Sequence, residues 1–137
     1  MKSSQRGRRA KTELQPRLRV VRSGEIALGP GKAELLGYIA DTGSIRKAAS
    51  QMGMSYMRAW KLVKFTNRCF CEPMVEVVRG GKSGGGARLT DAGRRALALY
   101  RQMEKQCLRA VKSNWKGMRK LLKQPGPAFS ICRPRNR

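Results

Sequence analysis

Two stop–start signals do most to limit what this chain can fold into. Gly43-Ser44 and Gly53-Met54-Ser55 bracket the segment Ile45-Arg46-Lys47-Ala48-Ala49-Ser50-Gln51-Met52. Glycine ends a helix because it enters the left-handed conformation with no Cβ penalty. A serine just ahead of a helical run accepts a hydrogen bond from the first turn. The segment therefore reads as a short helix, with one helix ending at Gly43 before it and another capped by Ser55 after it. Ala48 and Ala49 are small enough to let neighbouring helices approach closely. Two short helices joined across a tight glycine turn make a helix-turn-helix.

The flanking sequence supplies the rest of a small domain. Arg17-Leu18-Arg19-Val20-Val21-Arg22 nearly alternates charged and aliphatic residues, which predicts an edge strand, and Ser23-Gly24-Glu25 a turn. Gly29-Pro30-Gly31 opens the first helix, with proline near its first position, and Leu35, Leu36 and Ile39 form its buried stripe. The third helix runs from Tyr56 to about Phe70, with Ala59, Val63 and Phe70 near one face and Trp60 flanking; Pro73 ends it. Met74–Val78 reads as a strand and Ala87–Leu89 as its partner. Thr90 caps a last helix, with Asp91 favourably placed in its first turn. The expected fold is mainly α with a small β-wing: a winged helix-turn-helix over residues 17–90 and a long helix over 91–123. Residues 1–16 and 124–137 are expected to be a disordered basic arm and tail.

The connection between the two wing strands contains Gly80-Gly81-Lys82-Ser83, which superficially matches the end of a phosphate-binding P-loop. That motif needs a glycine at the position held here by Glu76, and a helix after the serine. A carboxylate stands where phosphate should sit, and Gly84-Gly85-Gly86 follows Ser83. Glycine propagates helices poorly. The stretch is instead a wing tip, where missing side chains permit close approach to a DNA backbone and Arg79 and Lys82 supply charge.

Charge points to a partner. The chain has 31 Lys and Arg against 8 Asp and Glu, a net charge of +23. The excess is uneven: residues 1–22 hold eight basic residues and one acidic, and residues 109–137 hold nine basic and none acidic. Such an excess makes a compact chain repel itself unless a polyanion is near, and nucleic acid is the expected one. The residues expected to meet it are Ser44, Arg46, Lys47, Ser55, Tyr56, Arg58, Lys61 and Lys64 on the helix-turn-helix, with Arg79, Lys82 and Arg88 on the wing. An anionic membrane surface is a rival partner.

Other functional classes are poorly supplied. There is no apolar run long enough to span a membrane and no secretory h-region, so a cytoplasmic location is expected. The chain has no histidine, which removes the commonest general base and every Ser/His or Cys/His dyad. Cys69, Cys71, Cys107 and Cys132 form no C-x-x-C pair, so no metal site and no cofactor are expected, and the cysteines read as reduced and structural. No enzyme activity is expected.

Beyond the wing, Ala96, Tyr100, Met103, Cys107, Val111, Trp115, Met118 and Leu122 recur every three or four residues. A single helix over this stretch would be roughly 50 Å long at 1.5 Å per residue, more than one small domain can cover. The stripe is therefore expected to be a homodimer seam.

The segment from Leu28 to Tyr100 resembles the N-terminal DNA-binding domain of ModE-type, molybdate-responsive transcriptional regulators, relatives of the LysR-type winged helix-turn-helix. The likeness covers residues 17 to about 104. It is carried by GSIRKAAS, MSYMRAWKLV, the Asn67–Pro73 segment and GGKSGGGARLTDAG. It implies a homodimer whose third helix enters the major groove and whose last helix pairs the subunits. Full-length members carry molybdate-binding modules after that helix; only a short basic segment follows it here, so no molybdate site is expected. Cys71 stands where the family usually has glycine, which leaves the turn after the third helix open; it also raises the idea of a redox sensor, against which a helix C-terminus disfavours the reactive thiolate. The expected function is sequence-specific regulation of transcription on double-stranded DNA in a bacterial cytoplasm. The alternative is an architectural protein that coats nucleoid DNA with little specificity.

Overall fold

A computed structural model describes residues 11–79 and 86–123. Lys82 and the rest of the expected wing tip, residues 80–85, lie outside the described residues, as do the first ten residues, the tail 124–137 and Cys132. The described elements are β1 (Val20–Arg22), β2 (Glu25–Leu28), α1 (Pro30–Thr42), α2 (Ile45–Gln51), α3 (Tyr56–Cys69), β3 (Val75–Val78), β4 (Gly86–Leu89), α4 (Asp91–Ala110) and α5 (Lys112–Leu121).

The punctuation read from the sequence operates as chemistry. Gly43 sits at φ 67° and its N–H donates to the Ile39 carbonyl, closing α1. Ser44 Oγ accepts from the Lys47 N–H at 3.2 Å and so starts α2. Gly53, at φ 66°, carries the chain away from α2, and Ser55 Oγ accepts from the Arg58 N–H at 3.1 Å to start α3. The core gathers Leu35, Leu36 and Ile39 of α1, Ile45, Ala48 and Ala49 of α2, Ala59 and Val63 of α3, and Val75, Ala87 and Leu89 of the wing. Ala48 and Ala59 are fully buried, the close approach that their small side chains allow.

The wing is bolted to this core. Its strands pair antiparallel, Val75 with Leu89 and Val77 with Ala87. The Gly43 carbonyl, freed where α1 ends, accepts from the Ala87 N–H at 2.9 Å. Asn67 of α3 fastens the other side: its Oδ1 accepts from the N–H groups of Met74 and Val75 at 2.8 and 3.1 Å, and its Nδ2 donates to the Val75 carbonyl at 3.0 Å. Thr90 caps α4 by accepting from the Gly93 N–H, and its hydroxyl donates to the Pro73 carbonyl. Gly93 lies against the same loop so closely that a Cβ there would stand 2.0 Å from the Met74 carbonyl oxygen.

Two expectations are corrected. Glu25–Leu28 is a strand, so Val20–Leu28 forms a hairpin rather than a lone edge strand. Its two-residue turn holds Ser23 at φ 52° and Gly24 at φ 80°, the doubly positive backbone that matches strand twist. The last helix is interrupted at Val111, whose φ −99° and ψ 7° separate α4 from α5. Val111, Ser113 and Asn114 are all poor helix formers, and no buried side chain of α5 compensates for them. Of the expected arm, residues 11–16 are described and have no regular secondary structure; Leu14–Arg17 lie beside Pro30, Glu34 and Glu104.

Candidate nucleic-acid interface

α3 presents its Ala59, Val63 and Thr66 face to the core. The Thr66 hydroxyl, although buried, is satisfied by donating to the Leu62 carbonyl at 2.8 Å. The opposite face therefore points to solvent, and along it run Met57, Lys61, Lys64 and Arg68, all exposed. Arg58 is exposed beside this row. α3 contains four cations and no carboxylate, so the whole outer face carries one sign of charge.

Aromatic rings stiffen parts of this surface. The Lys64 ammonium stands 4.0 Å from the Trp60 ring centroid, and the Arg46 guanidinium 4.7 Å from that of Tyr56. Phe65 receives Lys32 at 4.2 Å and Arg68 at 5.9 Å. Such contacts contribute on the order of 0.5–1 kcal/mol at exposed sites and restrict long, otherwise mobile cations. The Lys32 ammonium also donates to the Ile26 carbonyl; burial lowers its pKa, with Cys69 and Glu25 acting in the opposite direction.

The start of α3 and the wing share a cleft of about 390 Å³, with Ser44, Arg46 and Tyr56 on one side and Val77, Gly86 and Ala87 on the other. Of the expected residues, the cleft brings together Ser44, Arg46 and Tyr56; the wing residues that line it, Val77, Gly86 and Ala87, are not among them. Ser44 and Ser55 act there as helix caps, accepting bonds from the backbone while each hydroxyl keeps its donor. Lys47 is exposed on α2, and Arg79 is exposed at the end of the wing's first strand.

Among the described residues, Arg88 differs from the other expected cations in having a carboxylate partner. In the wing's register it lies directly across from Glu76, and its Nε donates to Glu76 Oε1 at 2.6 Å. It sits on the face of the wing opposite Val77 and Ala87, in a cleft that also holds Glu72 and Asp91. Arg94 lines the same cleft and pairs with Asp91, so the charges there are mixed. The pairing of Arg88 with Glu76 could not be read without the strand register.

The expected dimer stripe also divides. Tyr100 is 1% exposed and its hydroxyl donates to the Leu18 carbonyl at 2.8 Å. It belongs to the chain's own core, with Leu97, and is removed from the seam. Burial, reinforced by Glu104 and opposed by Arg19, raises its pKa. Ala96 packs partly on the same core. Met103, Val111, Met118 and Leu122 are exposed, and Cys107 and Trp115 are half-buried. Leu99, missed in the sequence, is half exposed beside them. Cys71 is exposed in the loop after α3; among the described residues only Ser23 is a non-glycine at positive φ, so the Cys71 position does not demand glycine.

Among the described residues no helix is long and apolar enough to cross a membrane. No protein-family model matches the chain. Curated relatives do. The molybdenum transport protein ModE of Azotobacter vinelandii is 44% identical over 78 residues, 57% of this chain and 29% of the relative. The molybdenum-pterin-binding protein MopA of Rhodobacter capsulatus is 37% identical over 94 residues, 69% of this chain and 36% of the relative. The DNA-binding transcriptional dual regulator ModE of Escherichia coli (strain K12) is 42% identical over 71 residues, 52% of this chain and 27% of the relative. The match thus spans about a third of these relatives' length. Among solved structures, the DNA-binding domain of CbnR in complex with DNA superposes with a TM-score of 0.50 at 17% identity, covering 64% of this chain and 95% of that one. The full-length LysR-type regulator LysG of Corynebacterium glutamicum, with bound arginine effector, gives 0.50 at 20% identity, covering 69% and 30%. The homologues of this chain are ModE and Mop molybdenum-related proteins, and its fold is a ModE-like winged helix-turn-helix.

Proposed function

We propose that the chain is a sequence-specific DNA-binding regulator of transcription that acts as a homodimer, without enzyme activity, in the bacterial cytoplasm. The observation that carries this reading is the outer face of α3. It is a rigidly seated helix with Arg58, Lys61, Lys64 and Arg68 outward, no carboxylate, and a wing fixed beside its start. In helix-turn-helix docking the second helix lies in the major groove with its first turns at the base edges. Arg58 would read a base edge there, while Lys64 and Arg68 would meet phosphate. Arg79 and Lys82 of the wing would follow the backbone. The printed names of the relatives and of the CbnR complex favour the same partner.

The molybdenum transport and molybdenum-pterin binding in the relatives' names are not assigned to this chain, which matches about a third of their length. A ligand that binds only the folded state must stabilise it, by about 2.7 kcal/mol at a hundredfold excess over its dissociation constant. Millimolar molybdate should leave the melting temperature unchanged, and an upward shift with molybdate but not sulfate would contradict the assignment.

The functional reading is tested by genome-wide occupancy of the chain in a bacterial host. A few sharp sites are the expected result. Broad, even coverage would favour the architectural coating protein instead.

A further inference from the structure

Within the helix-turn-helix and the described part of the wing, four large apolar side chains are exposed: Tyr56, Met57, Val77 and Val78. Tyr56 and Val77 face each other across the cleft, and the Arg46 guanidinium stacks on the Tyr56 ring. Met57 is different. It is 54% exposed, it does not pack on the core, and it stands at the head of the outward row that continues through Lys61, Lys64 and Arg68. A thioether chain among cations gains nothing from water and nothing from phosphate. Its position on the first turn of α3 is where side chains reach base edges. The one apolar group that base edges present in the major groove is the thymine C5-methyl, and an unbranched, polarisable methionine adapts well to such a surface.

We infer that Met57 is a specificity-determining residue that packs against the C5-methyl group of a thymine in the major groove. The inference rests on the reading of α3 as the major-groove helix, and it adds an apolar contact to a face otherwise made of cations. The cations fix affinity and register; Met57 separates thymine from cytosine at one position in each half-site.

The test starts from a random-sequence duplex pool from which the wild-type chain recovers its preferred sequence. Each thymine of that sequence is then replaced singly by deoxyuridine, which removes only the methyl group. At one thymine per half-site the replacement should weaken the wild type about fourfold, the value of one buried methyl-sized group. Met57→Ala should bind the thymine and uracil duplexes equally, Met57→Leu should keep most of the difference, and neither variant should melt differently from wild type. Indifference of the wild type to every replacement would overturn the inference while leaving the major-groove reading standing. So would a Met57→Ala protein that keeps the full methyl dependence. A wild type that recovers no preferred sequence would overturn both.

Discussion

The two ends of the described chain treat apolar surface in opposite ways. From α1 through the start of α4, apolar residues close on one another: Leu35, Leu36, Ile39 and Tyr100 are all at most 2% exposed. From Met103 onward the same helical periodicity leads outward. Met103, Leu108, Val111, Met118 and Leu122 are 38–55% exposed, and α5 buries no residue. The body satisfies itself, whereas the extension presents a stripe that a second copy of the chain would complete. Periodicity alone therefore does not tell core from interface; the difference lies in what the rest of the chain places opposite it.

If the body is self-sufficient, its weakest tolerance is where backbones touch. Gly93→Ala puts a Cβ 2.0 Å from the Met74 carbonyl oxygen, a backbone atom that cannot swing aside. The expected cost is about 3 kcal/mol, seen as a melting temperature lowered by more than about 10 °C. A variant that melts like wild type would show that the α4–wing junction is looser than described.

A smaller effect is expected where the two regions meet. Tyr100→Phe removes one hydrogen bond and leaves the Leu18 carbonyl without its donor, for about 1 kcal/mol. Because burial raises the Tyr100 pKa, folding favours the neutral phenol. Its contribution is complete below the ordinary tyrosine value of about 10 and is lost as pH rises through the folded value. Denaturant titrations of wild type and Tyr100→Phe should converge on the alkaline side; parallel curves would place the phenol in water.

The smallest effect on the body is predicted from the largest insult to the extension. Met103→Glu alters an exposed side chain, so the body should keep its stability to within about 0.5 kcal/mol. The same charge in a twofold seam would lack a partner, and sedimentation should show a monomer. A wild type that is already monomeric at micromolar concentration would remove the seam and leave the stripe to another partner.

Much of the body was legible because its signals are local. Gly43, Ser44, Gly53 and Ser55 act on the residues next to them, and those boundaries were read correctly. What escaped depends on distance or on rare backbone. The β1–β2 hairpin turns on Ser23 at positive φ, a conformation that serine does not advertise. Asn67 locks the wing by bonding backbone seven and eight residues away, and an asparagine in a helix carries no mark of such a role. Arg88 looked like a free cation until strand register set it against Glu76. Tyr100 fitted the outward stripe by spacing, yet Leu18, far earlier in the chain, supplied its partner. Met57 is a neutral residue in a basic row, and nothing in the sequence marks its outward position.

On the proposed function, the body reads sequence while the excess charge supplies affinity without specificity. The ratio of affinities for the preferred duplex and for random duplex, measured by competition at fixed physiological salt, tests it most directly. A regulator of this kind should show a ratio on the order of 10³ or more. Both affinities should fall steeply as salt rises, with a log–log slope of about −0.9 per phosphate neutralised. A ratio below about 10, far short of the regulator range, with the same steep salt dependence, would contradict the account and identify a protein that coats DNA through charge alone.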